Sequence, residues 1–284
     1  MTTSQNRSLK LEPVPNSQQA IRLTIANPPI NLTNSVLLSE LHGYLTYLES
    51  SPEKAPKVIV ISSDHADIWI SHLDLHIVSA QYPLPAAEGE SGHFLHLLGD
   101  ILRLFRTLPI LFIAEVNGLA VGGGNEFAVN MDMRFAGPVA RFGVPEVAGG
   151  IVHGGGLQSL TKLIGPGRAL EMMTSSRALA ATEAEKYGLV NRAFETAKEL
   201  RKYVDALAAR IAKFPQGGIA RTKQGVRECL DGVGSVNTDM QRLGQLAHTG
   251  DAQGSISKLI EFGGDQSKGD FELGLPDTAD QLWV

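Results

Sequence analysis

The spacing of hydrophobic residues in the first half of the chain alternates between the period of a strand and the period of a helix. Short runs rich in apolar and β-branched residues predict strands over residues 21–25, 57–61, 111–116 and 133–136. Apolar residues at helical spacing predict helices over residues 35–48 and 96–108. Because strands that alternate with helices are typical of βαβ units, the pattern predicts an α/β fold with a mostly parallel sheet.

Helical spacing dominates the chain beyond Gly149. Thr182 and Thr196 each stand three residues before a glutamate, which is the pattern of a capping box at a helix start. One apolar stripe at helical spacing runs through Leu200, Val204, Leu207 and Ile211. We therefore expect residues 201–284 to form a helical region that ends in an extended tail over 271–284.

Polar or turn-forming composition marks the segments that we expect to lie outside the core. The start of the chain is polar and lacks the apolar run of a secretion signal, so residues 1–17 are predicted to be a flexible tail. Residues 82–92 are rich in Pro, Gly and Glu and predict a mobile loop. The expected division is a tail at 1–17, a core at 18–200 and a C-terminal helical region at 201–284.

Composition and charge narrow the functional classes. The 284 residues carry a formal net charge of −5 and no basic cluster, which argues against nucleic-acid binding. No apolar run is long enough to span a membrane. Cys229 is the single cysteine, so no disulfide forms within the chain. Since no targeting sequence is recognisable, these features favour the cytoplasm and leave the mitochondrion and the peroxisome open.

The strongest candidate for chemistry is the stretch Val-Gly-Gly-Gly-Asn-Glu at 121–126, followed by Glu146. Backbone N–H groups at a glycine-rich helix start favour an anion, and the helix dipole adds to this preference. Glu126 falls in the first turn of that helix, and Glu146 supplies a second carboxylate. An oxyanion-binding amide with two carboxylates suits chemistry next to a carbonyl. Taken singly, the glycines also fit a plain turn, and each glutamate also fits a structural role.

Several other site types are disfavoured by the sequence. The stretch 121–126 lacks the spacing of a dinucleotide fingerprint or a phosphate-binding P-loop. His72 and His76 have the spacing of helical zinc ligands, but no glutamate follows the first histidine, so no metal site is expected. No serine lies in a Gly-x-Ser-x-Gly turn, which argues against a hydrolase triad.

Four blocks, taken together and in order, resemble the enoyl-CoA hydratase/isomerase (crotonase) family. They are residues 114–132, 142–154, 164–171 and 184–194, within a match that runs from about residue 21 to residue 194. The resemblance implies a crotonase-like ββα spiral core with a C-terminal helical region that trimerises. It further implies a homotrimer or hexamer that binds an acyl-CoA thioester, with coenzyme A as part of the substrate and no other cofactor.

The resemblance also implies roles for individual residues. The amides of Leu73 and Gly123 match the oxyanion hole that polarises the thioester carbonyl. Glu126 and Glu146 match the two glutamates that add or remove water across the Cα=Cβ bond. Asp74 matches the family's Asp after the first amide donor, and Gly154 matches the glycine whose amide helps to hold the water.

Two histidines depart from the family pattern. His72 stands where the family usually has a small residue, and His153 stands where it usually has proline. We expect both rings to line the pocket, and we count them with Asp74 and Gly154 as substrate-binding residues. Three alternatives to hydration stay open: a double-bond isomerase, a biosynthetic lyase that acts on a substrate without CoA, and a binding protein that has kept the fold. Intact Glu126 and Glu146 argue against the last.

Overall fold

Two β-sheets form the centre of the protein. The computed structural model describes residues 8–79, 90–261, 274 and 279–280. The strands are β1 Leu9–Pro13, β2 Ala20–Ile25, β3 Val58–Ser63, β4 Ile68–Ile70, β5 Leu111–Val116, β6 Leu119–Val121, β7 Met133–Ala136, β8 Arg141–Gly143, β9 Leu179–Ala180 and β10 Arg192–Ala193. The larger sheet has the order β1-β2-β3-β5-β7-β10 and the smaller sheet the order β4-β6-β8-β9.

Most of the strand pairing is parallel, as the alternating pattern predicts. Among the strands that the structure describes, β1 is the only one in the larger sheet that runs antiparallel to its neighbour, and β9 is the only one in the smaller sheet. The helices between and after the strands are α1 Ser35–Ser50, α2 Glu90–Thr107, α3 Gly123–Asn130, α4 Leu157–Ile164, α5 Pro166–Ser175, α6 Ala181–Tyr187, α7 Ala197–Lys213, α8 Gln216–Leu230, α9 Val236–Ala247 and α10 Gly250–Glu261.

Two apolar clusters cover the two faces of the larger sheet. The larger cluster joins this sheet to α1, α2, α3 and the smaller sheet, with Trp69, Phe105 and Phe127 fully buried in it. The second cluster lies between the opposite face and α7, where Leu200 and Val204 are buried against strand residues such as Val60. The predicted stripe on α7 is thus confirmed, and it faces the sheet because that face would otherwise expose its apolar residues to water.

Three predictions about the elements are corrected by the structure. Residues 9–13, expected in the tail, form β1, because Leu9 is buried while the strand pairs with β2 along its whole length. The strands β4, β6, β8 and β9 were not predicted; each has only two or three residues, too few to show a period. Helix α6 begins at Ala181 rather than at a capping Thr182, because β9 runs directly into it.

Other predictions are confirmed or fall outside the described residues. Thr196 and Glu199 form the predicted capping box at the start of α7. The predicted loop at 82–92 lies mostly outside the described residues, and so does most of the tail at 271–284. No helix in the described ranges is both long and apolar enough to cross a membrane.

Candidate active site

The edge of β4 and the start of α3 approach each other so closely that only glycine fits between them. The amide of Gly124 donates to the Ser71 carbonyl at 3.1 Å. A Cβ atom at Gly124 would lie 1.9 Å from the Ile70 carbonyl oxygen, far inside van der Waals contact. Gly122, which precedes the helix, has φ of 55°, a backbone conformation that favours glycine. The glycine run therefore allows α3 to start directly against the segment 71–74.

This contact brings together the two amides predicted to bind an oxyanion. A Cβ atom at Gly123 would lie 3.3 Å from the Leu73 nitrogen. The bridge between Thr33 and the segment 71–74 uses the His72 carbonyl and the Asp74 amide, and so bypasses the Leu73 amide. Among the described residues, neither the Leu73 amide nor the Gly123 amide donates a hydrogen bond. Both N–H groups are thus available to an oxygen atom of a ligand.

Glu126 lies in the first turn of α3, a helix whose eight residues are all buried. Its Oε1 atom accepts a hydrogen bond from the Gly155 amide at 2.8 Å. Burial raises the pKa of the Glu126 carboxyl, and the nearby His153 and the Gly155 N–H oppose that rise. A carboxyl with a raised pKa in a cavity is suited to proton transfer.

Glu146 reaches the same place from a separate element, a short 3₁₀ helix that spans Glu146–Gly149. Its side chain is 12% exposed, and its Oε1 atom lies 2.9 Å from the His153 Nδ1 atom. The buried Oε2 atom has no hydrogen-bond partner among the described residues. Because buried polar atoms normally have a partner, this oxygen is suited to bind a ligand or a water molecule.

A cavity of about 570 Å³ opens between these elements. Its lining includes the Leu73 and Gly123 backbones of the amide pair, together with Gly154 and Gly155. Among the described residues that line it, the titratable side chains are His72, Glu126 and Glu146. The apolar wall consists of Leu75, Val78, Leu95, Leu98, Leu102, Pro145, Ile151 and Val152. A second cavity of about 470 Å³ lies between α8 and the core, and none of the predicted site residues line it.

His153 lies behind the two carboxylates rather than in the cavity wall. Its side chain is fully buried, and it is not among the described residues that line the cavity. The Nδ1 atom lies 2.9 Å from Glu146 Oε1 and 3.6 Å from Glu126 Oε1, while the Nε2 atom lies 3.2 Å from Asn125 Oδ1. The expectation that this ring lines the pocket is therefore corrected, because the ring fills the space between α3 and the 3₁₀ helix.

The other predicted binding residues divide between the cavity and its support. His72 lines the cavity, and its Nδ1 atom donates to the Leu73 carbonyl at 2.8 Å. Asp74 does not line it, since its carboxylate accepts from the His76 amide at 3.0 Å and caps the helix Leu75–Ile77. Gly154 lines the cavity, but the amide that reaches Glu126 belongs to the next residue, Gly155.

Glu126, Glu146 and His153 also place three ligand-type atoms within 4.8 Å of one another. Residues of these types bind metal ions in other proteins. Here the Nδ1 atom of His153 is already engaged with Glu146 at hydrogen-bond distance. We therefore interpret the three residues as a hydrogen-bonded acid–base group, and the expected absence of a metal stays a prediction.

The sequence matches one described protein family over most of its length. The sequence profile of the family named enoyl-CoA hydratase/isomerase matches residues 16–261. The chain belongs to this family. Its resemblance to the crotonase fold is thereby confirmed, and the protein is an enzyme of the hydratase/isomerase type.

Individual members of the enoyl-CoA hydratase/isomerase family extend this comparison. The crotonyl-CoA hydratase of Syntrophomonas wolfei is 31% identical over 216 residues, which cover 74% of this chain and 80% of that enzyme. The short-chain-enoyl-CoA hydratase of Clostridium acetobutylicum is 29% identical, with 84% of this chain and 90% of that enzyme covered. Enoyl-CoA hydratase from Bacillus anthracis has the same fold with a TM-score of 0.78 at 23% identity, and 89% and 96% of the two chains are covered.

Asn125 and Gly155 are the site residues that sequence reasoning did not single out. Asn125 lies inside the stretch 121–126 and contacts His153, and Gly155 lies inside the glycine run 154–156 and donates to Glu126. The run of three glycines is the local feature that could have pointed to this contact, because glycine lets backbone atoms come close to another group. It did not indicate which of the three amides would do so, because that depends on how the chain turns into α4.

Proposed function

We propose that this enzyme adds water reversibly across the Cα=Cβ bond of an enoyl-CoA thioester. The observation that carries the proposal is that Glu126 and Glu146 open into the same cavity as the Leu73 and Gly123 amides. A thioester bound with its carbonyl oxygen between the two amides and its double bond beside the two carboxylates would interact with both pairs of groups at once. Relatives named crotonyl-CoA hydratase and short-chain-enoyl-CoA hydratase support this assignment.

In the proposed reaction, the thioester carbonyl oxygen accepts hydrogen bonds from the Leu73 and Gly123 amides. Negative charge moves onto that oxygen as water attacks Cβ, and amides that are already in place stabilise this charge. Glu126 takes a proton from the water while the new O–Cβ bond forms. Glu146 gives a proton to Cα, which completes the addition of one water, and dehydration is the same path reversed.

The cavity wall and the C-terminal helices support two further parts of the proposal. Apolar side chains predominate among the described residues that line the cavity, so we propose that the acyl group is apolar rather than charged. Apolar residues of α9 and α10, including Met240, Leu243 and Ile260, are more than half exposed in the single chain. We propose that they are covered in a homotrimer or a hexamer, since exposed apolar faces of this kind mark interfaces.

The direct test is to incubate the protein with crotonyl-CoA and to follow the product mass together with loss of the enoyl absorbance. We expect a product heavier by one water. A product of unchanged mass from a substrate with a movable double bond would identify an isomerase instead. Calorimetry with free CoA and with crotonyl-CoA in the same preparation tests recognition, and binding of neither would point to a substrate without CoA.

When the pH is lowered, the enzyme should lose activity at a higher pH than the pKa of an ordinary glutamate would predict. Burial raises the pKa of Glu126, and the base must be ionised to accept a proton from water. We therefore expect kcat/KM to decrease as the pH is lowered and Glu126 takes up a proton. The midpoint of this decrease should lie above the usual pKa range of glutamate. The measurement is a pH profile of kcat/KM, with circular dichroism at each pH to show that the protein stays folded. A midpoint in the range of an exposed glutamate would contradict the assignment.

A further inference from the structure

His153 is a buried titratable group for which the proposed reaction has no role so far. The ring contacts residues of two elements: Glu126 and Asn125 on α3, and Glu146 on the 3₁₀ helix. A Cβ atom at Gly156 would lie 2.0 Å from the Nε2 atom, so the chain leaves room for this ring only by keeping glycine there. The ring is therefore held tightly in one orientation between the two elements.

The hydrogen bonds of the ring determine how many protons it shares. The Nε2 atom lies 3.2 Å from the Asn125 Oδ1 atom, and with the amide in this orientation Nε2 carries a proton, because an amide oxygen only accepts. The Nδ1 atom lies 2.9 Å from Glu146 Oε1, a distance that requires one proton between them. This proton lies either on the ring, which gives an imidazolium beside a carboxylate, or on Glu146, which gives two neutral groups. In both forms the pair holds one proton and has no net charge.

We propose that His153 is a positioning residue that holds one proton jointly with Glu146 and so keeps Glu126 ionised beside it. The inference rests on the proposed hydration and names the source of the proton that Cα receives. During hydration, the proton of the pair moves from Glu146 to Cα, and Glu126 takes one proton from water. After the product leaves, the proton on Glu126 passes back to the pair, so the site returns to its starting state with no net gain or loss.

The physical reason is the repulsion between two carboxylates in a buried site. Without a ring between them, ionised Glu126 and Glu146 would place like charges within a few ångströms, which favours retention of a proton by one of them. The neutral Glu146–His153 pair removes this repulsion. Among the described residues that line the cavity, the remaining ionisable group is His72, whose Cβ lies near Gly122. Its Nδ1 atom lies 2.8 Å from the Leu73 carbonyl oxygen, and none of the hydrogen bonds found among the described residues joins this ring to the Glu146–His153 pair.

The first test compares His153→Gln and His153→Phe with the wild type in the crotonyl-CoA assay. Gln can donate a hydrogen bond to Glu146 but has no titratable group. Phe has neither a hydrogen-bond donor nor a titratable group. We expect both variants to lose about tenfold or more in kcat, the lower end of what proton-transfer groups contribute. KM should change less than about twofold, because the ring does not line the cavity; a change of that size is worth less than half a kcal/mol.

The pH profile separates a proton-holding role from a merely structural one. In both variants the ring nitrogen that shares a proton with Glu146 is absent, so the pair that supplies the proton to Cα no longer exists. We therefore expect the pH profile of kcat in both variants to differ from that of the wild type. His42→Gln is the matched control, since His42 pairs with Asp100 at 2.8 Å outside the cavity, and its profile should equal that of the wild type. A wild-type kcat and profile in His153→Gln would overturn the proposal.

A second measurement does not depend on activity. Nitrogen-15 NMR of the histidine rings in the full-length protein reports where each ring proton lies. We expect Glu146→Gln to shift the His153 Nδ1 signal and to leave His42 unchanged, and Asp100→Asn to do the reverse. If the wild type hydrates no enoyl-CoA but the His153 signal responds, the proposed function fails and the pair stands. An Nδ1 signal that ignores Glu146→Gln would overturn the pair whatever the activity.

Discussion

Glu146→Gln and Glu126→Gln are each expected to lower kcat for hydration by about a thousandfold, within the range that a positioned general acid or base contributes. Each change removes one of the two proton-transfer steps and keeps the size of the side chain. The double variant should lose little more than either single variant, because residues that act as one unit are not additive. The measurement is kcat from initial rates with crotonyl-CoA.

Both variants should remain folded, so that lost activity reports lost chemistry. A glutamine at position 126 keeps an oxygen for the Gly155 N–H, and it avoids the cost of burying a charge. Its melting temperature should therefore equal or exceed that of the wild type. Glu12→Gln on the exposed edge strand β1 is the matched control, with unchanged kcat expected. Hydration that persists in the double variant would contradict the two-carboxylate mechanism, and activity that depends on only one glutamate would favour an isomerase.

Leu73→Pro is expected to lower kcat by about a hundredfold to a thousandfold, the cost of one oxyanion-hole donor. Proline at this position has no N–H group to offer to the thioester oxygen. The change removes no hydrogen bond between described residues, because the neighbouring bridge to Thr33 uses the His72 carbonyl and the Asp74 amide. The loss should thus appear in catalysis more than in folding.

Leu73→Ala provides the matched control, since it shortens the side chain and keeps the amide. Leu73 is partly buried against the core, so the alanine variant should lose some stability and keep most of its kcat. Thermal melting of both variants separates the two effects. If Leu73→Pro is as active as Leu73→Ala while both are folded, the Leu73 amide is not an oxyanion donor.

The sequence was most informative where function depends on short, contiguous stretches. The stretch 121–126 predicted a helix that starts at glycine and carries Glu126 in its first turn, and α3 has that form. The parallel pairing of β3, β5 and β7 was equally predictable, because each strand is a short run of mostly buried residues that the sequence shows as an apolar stretch. The small strands β8 and β9 were not, since they have three and two residues and pair across the intervening residues 144–178.

The environment of His153 shows most clearly what the sequence could not provide. Its departure from the family pattern was visible, but not whether the ring would face the substrate or the glutamates. That depends on the path of residues 150–156, which turns the ring behind Glu146 and toward Asn125 on α3. Asn125 and Gly155 were missed for the same reason, because each gains its role from a contact with a residue that is 28 or 29 positions away.

The sequence by itself determined the α/β class, the family resemblance, the two carboxylates and the glycines on which the site is built. These follow from local periodicity and from contiguous motifs, which need no knowledge of distant partners. Only the tertiary structure decided that the Leu73 and Gly123 amides lie together and that an apolar cavity of about 570 Å³ faces both glutamates. It also decided that His153 lies behind the two glutamates and contacts Glu146, because distances between remote segments are set by how the two sheets and α3 pack.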